Sequence, residues 1–160
     1  FIGVDYKPNI DGLEWYLKNV HPSVGLKLNI VGKSLEKYRN QWESDTVSVI
    51  GTVDSLDPWY CQAAAVIIPL FSGSGMKVKT AEAMSYGKPI FATDEGLTGY
   101  LTDGIRGIYR CNSAQDFIRS INGWKSEDRL HTYVPEIQSL FESNYSIDAA
   151  IKTFKKVLDS

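Results

Sequence analysis

Residues 69–89 read PLFSGSGMKVKTAEAMSYGKP. An apolar run at 63–70 leads into a loop with glycines at 73 and 75. The loop opens into a helix-patterned segment carrying Lys77, Lys79 and Glu82. Glycine lets the backbone take up positive φ and approach a bound group closely. A helix start presents unpaired N–H groups and the positive end of the helix dipole. Strand, glycine loop and helix start in that order predict an anion pocket, with phosphate the expected occupant. The two lysines strengthen that reading. Glu82 cannot serve the same anion, so it points to a neighbouring hydroxyl-bearing group such as a ribose.

Outward from this stretch, strand and helix patterns alternate. Towards the amino terminus, FIGV at 1–4 reads as a strand. The spacing of Ile10, Leu13, Leu17 and Val20 predicts a helix over 9–20, with Pro8 at its start. Strands are expected at 26–32 and 47–51, each ending in glycine, with a short helix over 34–42 capped by Ser34 between them. Asp57 is expected to cap a short helix with Pro58 in its first turn. The continuous apolar runs at 64–70 and 89–93 are the pattern of strands buried on both faces. Between them the helix at 76–86 ends at Gly87. A short strand at 107–111 and an amphipathic helix at 113–123 capped by Ser113 follow. The stretch 126–141 is expected to be helical, interrupted by Pro135, and 146–158 forms a last amphipathic helix. This order predicts a doubly wound α/β fold, a Rossmann-like parallel sheet covered on both faces, as a single domain over 1–160.

Composition narrows the function. The chain has 160 residues, enough to bury roughly two thirds of its unfolded surface. A formal net charge of −2 argues against a nucleic-acid domain driven by bulk charge, while leaving room for a local basic site. No apolar run approaches the ~20 residues of a membrane helix. Cys61 and Cys111 are too few for a disulfide framework and read as reduced, half-buried thiols. His21 reads as a capping or surface residue. Neither His21 nor His131 sits at ligand spacing from a cysteine, so no metal site is expected. The chain begins with an apolar residue in a strand-like stretch, which is the expectation for a piece of a longer protein.

A dinucleotide fingerprint would place G-x-G-x-x-G after the first strand. Here VDYKPN (4–9) follows it, which points away from a nicotinamide enzyme, and the pattern G-x-x-x-x-G-K-[ST] is absent. The glycine loop instead follows the fourth strand. In a doubly wound sheet, that places it at the crevice between strands one and four, outside their carboxyl ends.

The segment GSGMKVKTAEAMSYGKPIFAT (73–93) resembles the donor-site signature of the group 1 (family 4-like) glycosyltransferases. The PN-x-D-G-x-x-x-x-L stretch at 8–17, LNIVG at 28–32 and VIGTV at 49–53 support it. The EAM-x-x-GKP block at 82–89 is its most specific part. The resemblance implies the GT-B fold, two Rossmann-like domains facing across a cleft, with this chain as the carboxyl-terminal donor-binding half. The amino-terminal, acceptor-binding half would be missing. The implied donor is a nucleotide-diphosphate sugar, with no other cofactor and no metal. The implied reaction is hexosyl or related transfer with retention, in a cytoplasmic enzyme of bacterial polysaccharide or glycoconjugate biosynthesis, peripheral to the inner membrane.

The same resemblance assigns residues. Glu82 and Lys79 would be the catalytic pair, Glu82 accepting from the ribose hydroxyls and Lys79 meeting the diphosphate. Gly73, Ser74, Gly75, Met76 and Lys77 would bind phosphate. Gly51, Thr52 and Val53 would form the loop under the base. Ser74 stands where many relatives carry a first glutamate, and Val4 and Asn9–Ile10 stand where many carry Arg and Lys. Lys7 is then a candidate to supply the lost cation, and Lys79 to take over the clamp. Simpler readings stay beside these: a solvated Glu82 paired with Lys79, surface lysines, plain turns at 51–53 and 73–75. Tyr60 is either near the base or in the core. A nucleotide-binding module without chemistry and a nucleotide-sugar epimerase of the same architecture are the alternative functions.

Overall fold

A computed structural model describes residues 1–127 and 132–158. Its elements follow the expected alternation. Helix α1 (Lys7–Asn19) leads to β1 (Leu28–Val31), α2 (Arg39–Trp42) and β2 (Val47–Gly51). Then come α3 (Asp57–Gln62), β3 (Val66–Ile68), α4 (Val78–Ser85), β4 (Ile90–Ala92), α5 (Asp94–Leu97) and β5 (Ile108–Arg110). Helices α6 (Ala114–Lys125), α7 (Pro135–Asn144) and α8 (Ile147–Leu158) complete it.

All the strand pairings between these elements are parallel. β1 lies on β2 with Leu28 opposite Val47, and β3, β4 and β5 form a second ladder with Ile67 opposite Phe91 and Phe91 opposite Tyr109. The stretch at 1–4 adds one parallel bridge, Ile2 to Val31, rather than a full strand. The apolar runs at 64–70 and 89–93 shorten to three paired residues each, Val66–Ile68 against Ile90–Ala92.

Side-chain alternation sends β3 and β4 into two cores. Ile67 and Phe91 join Leu28, Ile30 and Val49 under α1 and α6, which contribute Leu13, Tyr16, Phe117 and Ile121. Val66, Ile68, Ile90 and Ala92 face the other way, onto Tyr60 of α3, Met84 of α4, Leu97 of α5 and Ile137 of α7. Burying each such large side chain stabilises by about 1.5–3 kcal/mol. Both faces are therefore covered, as a parallel sheet requires, and the α/β architecture is that of a Rossmann-like half-domain.

Several local expectations are corrected. Ser34 caps nothing: its backbone is left-handed at φ 65°, and a 3-10 turn (Leu35–Tyr38) precedes the single turn of α2. Asp57 is the first residue of α3, not its cap, and its N–H is taken by Ser55 Oγ. Ser113 does cap α6, in a reciprocal box with Asp116. Helix α5 is an addition, capped by Thr93, whose side chain accepts from Gly96 N. His21 is buried, its Nε2 3.0 Å from Thr46 Oγ1, and so is not a surface residue. Cys111 is buried and Cys61 exposed, so neither thiol is half-buried; burial pushes the Cys111 thiol up to about 11. Within 126–141 the described helix begins at Pro135, while 128–131, including His131, lie outside the described residues.

Candidate functional site

The carboxyl ends of the strands surround a cleft of about 530 Å³. Its walls come from the loop after residues 1–4 (Gly3, Val4, Tyr6, Pro8, Asn9), the end of β1 (Gly32, Lys33) and the end of β2 (Thr52, Val53). The glycine loop supplies Ser72, Gly73, Ser74, Met76 and Lys77, and α4 supplies Val78, Lys79 and Glu82. Backbone contacts set this geometry. A Cβ on Gly32 would stand 1.5 Å from Gly3 O, and one on Gly12 would stand 1.9 Å from Pro69 O. Only glycine allows the end of β1 to meet the first loop, and α1 to rest on the exit of β3.

Gly73 and Gly75 take φ of 132° and 89°, conformations that side chains other than hydrogen resist. From Phe71 through Lys79, no main-chain N–H donates to an acceptor among the described residues. The first such bond is Thr80 N to Lys77 O, where α4 closes its first turn. The loop thus leaves these donors without an acceptor among the described residues, at the positive end of an eight-residue helix.

The loop is braced from behind. Lys77 is buried; its Nζ donates to Gly73 O at 2.8 Å and pairs with Glu95 Oε1 of α5 at 2.7 Å. Tyr100 donates to Lys77 O at 3.0 Å, and Thr80 donates to Gly96 O at 2.6 Å. Thr93 donates to Leu70 O. The Lys77 charge is committed to holding the loop's shape.

Lys79 and Glu82 share a wall of the cleft without forming an ion pair. Lys79 Nζ reaches across to Asn9 Oδ1 at 2.5 Å and sits 4.7 Å from the centre of the Phe1 ring. Asn9 is itself fixed by donating to Val4 O at 3.0 Å. Burial, against the pull of the Glu82 carboxylate, brings the Lys79 ammonium down to about 8. Glu82 Oε2 accepts from the Tyr60 hydroxyl at 2.8 Å. Tyr60 is a core residue, stacked on Tyr86 with ring centres 5.0 Å apart.

Of the other residues singled out by sequence, Thr52 and Val53 line the cleft, while Gly51 lies behind it with its carbonyl accepting from Gly32 N. Thr52 N and Oγ1 both donate to Glu36. Ser74 and Met76 line the cleft, and Gly75 shapes the loop between them. Lys7 is exposed, paired with Asp11 at 2.9 Å, and is not part of the lining. Sequence reading passed over Lys33, which lines the cleft, and Glu95, and it named Asn9 and Tyr60 without the anchoring bonds they make to Lys79 and Glu82. Their partners lie up to 70 residues away in sequence, beyond any spacing rule. Among the described residues no three His, Cys, Asp or Glu side chains converge as a metal site, and no helix is long and apolar enough to cross a membrane.

This arrangement can hold an anion against main-chain amides and the Lys79 ammonium, with Lys33 also in the lining and the Glu82 carboxylate placed to accept from hydroxyl groups. A Klebsiella pneumoniae protein described as "Uncharacterized 44.6 kDa protein in cps region" is 29% identical over 136 residues, covering 76% of this chain. The chain spans 35% of that relative's length. The family model described as Glycosyl transferases group 1 matches residues 1–124. Every residue lining the cleft falls inside that match, and the chain belongs to the group 1 glycosyl transferases.

Proposed function

We propose that the cleft binds a nucleotide-diphosphate sugar and that the chain is the donor-binding half of a glycosyltransferase. The observation that carries this reading is a loop whose main-chain N–H groups have no acceptor among the described residues and whose Ser72, Gly73, Ser74 and Met76 line the same cleft as Lys79 and Glu82. The amides of Gly73 to Val78 and Lys79 take the diphosphate. Glu82 accepts from the ribose hydroxyls, its two oxygens suiting a vicinal diol. Thr52 and Val53 lie under the base.

Transfer breaks the bond between the anomeric carbon and the diphosphate oxygen, and the leaving group carries away the electron pair. Donors already aimed at that oxygen lower the barrier without reorganising. Lys79 supplies the compact charge that a metal ion supplies elsewhere. The acceptor and any general base belong to the other half of a longer enzyme, and the outcome is transfer with retention. The relative in a cps region fits a place in polysaccharide assembly.

Calorimetry with UDP, GDP and ADP tests the site. One of them is expected to bind, and Glu82→Lys is expected to weaken it by an order of magnitude or more, since a charge-assisted hydrogen bond is lost. Unchanged affinity in that variant removes the ribose assignment. No binding of any of the three at millimolar concentration favours a scaffold without chemistry. An epimerase would alter the free donor with no acceptor present.

A further inference from the structure

Glu82 does not stand alone at the cleft wall. One of its oxygens, Oε2, accepts from the Tyr60 hydroxyl at 2.8 Å, and no other hydrogen bond reaches the carboxylate among the described residues. Tyr60 is 1% exposed, so the residue is shielded from bulk solvent. The ring lies flat on Tyr86 at an interplanar angle of 8°, and the Tyr86 hydroxyl donates to Asp57 at the start of α3. Tyr60 is therefore held from behind by its own helix and from the side by the stack, and its one polar atom points at one carboxylate oxygen. Burial, with the Glu82 carboxylate adding to it, pushes the Tyr60 phenol far above its ordinary value, so it stays a donor.

We propose that Tyr60 is a positioning residue for the glycosyl donor. By holding Glu82 Oε2, its hydroxyl fixes the carboxylate plane and turns the unbonded Oε1 towards the pentose diol of the nucleotide. The proposal rests on the ribose reading of Glu82 and adds to it a residue that touches no substrate. A glutamate on an open helix face samples several rotamers, and ordering it on binding costs side-chain entropy. Here Tyr60 has removed most of that freedom before the ligand arrives.

The test is calorimetry with whichever of UDP, GDP or ADP the protein binds, set against its 2′,3′-dideoxy counterpart, for wild type, Tyr60→Phe and Glu82→Gln. Tyr60→Phe keeps the ring and its stack and deletes only the hydroxyl. Wild type is expected to prefer the ribo form, and Tyr60→Phe to lower ribo affinity about 3- to 10-fold. Its dideoxy affinity should stay unchanged. The double variant should lose no more than Glu82→Gln alone, because the two residues act as one unit. A preference retained in Tyr60→Phe but lost in Glu82→Gln overturns the role of Tyr60 and leaves the ribose reading standing. A preference that survives Glu82→Gln, or is absent from wild type, overturns both. A fall in both ribo and dideoxy affinity with a lowered melting temperature marks Tyr60 as structural only and also overturns the proposal.

Discussion

Lys79 links the start of α4 to the turn that opens α1, 70 residues earlier. Its ammonium is brought from 10.5 to about 8, chiefly by burial, with Lys77 repelling it and Glu82 opposing the shift. Between about 8 and 10.5 the unfolded chain holds this proton and the folded chain does not. Its contribution to stability therefore rises with pH across that window, while below about 8 the buried charge is a net cost. Ligand binding runs the other way. A diphosphate favours the charged form, so binding above about pH 8 takes up a proton, and affinity falls by up to roughly tenfold per pH unit. Calorimetry in two buffers of different ionisation heat measures the uptake. It should vanish in Lys79→Gln; equal uptake in that variant would place the titrating group elsewhere.

At the scale of elements, Gly12 decides how α1 meets β3. On an exposed helix, Gly→Ala stabilises by as much as ~1 kcal/mol. In α1 the sign reverses, because the added Cβ would stand 1.9 Å from the Pro69 carbonyl oxygen. Overpacking of this kind costs about 1–3 kcal/mol, and at this chain length each kcal/mol lowers the melting temperature by roughly 2–4 °C. Gly12→Ala is expected to melt several degrees earlier and to bind nucleotide more weakly, since Pro69 leads into the glycine loop. A higher melting temperature would show that α1 does not seat against that carbonyl. The parallel sheet itself was legible, because continuous apolar runs at 64–70 and 89–93 have no polar side to offer solvent. Caps were less so. Ser34 and Asp57 carry the right atoms, yet a left-handed turn at one and an earlier helix start at the other put those atoms out of reach. Helix α5 has four residues, too few to show a period. Within the site, Lys79 and Glu82 could be placed on one helix face from their spacing. Asn9, Glu95 and the Tyr60 hydroxyl could not, because the tertiary fold alone brings them there.

Over the whole molecule, apolar surface stays open in two places. Val4, Tyr6, Met76 and Val78 rim the cleft with half or more of their surface in water. Along α8 the apolar residues Ile147 and Phe154 stand 80% and 69% exposed, and of that helix only Ala149 is buried. An amphipathic 146–158 helix was expected from its spacing, but spacing does not say which surface covers it. In the proposed reading the loop amides and Lys79 meet the leaving diphosphate, and Glu82 meets the ribose. Among the described residues, none lining the cleft is a second carboxylate or a histidine that could serve as a base for an incoming hydroxyl. Binding and turnover should therefore separate. Incubated with a UDP-, GDP- or ADP-sugar and a saccharide acceptor, the 160-residue chain is expected to retain nucleotide affinity and to release no transferred product by chromatography. Glycosyl transfer by this chain alone would mean that its cleft also activates the acceptor, and the division of labour between two halves of a longer enzyme would have to be abandoned.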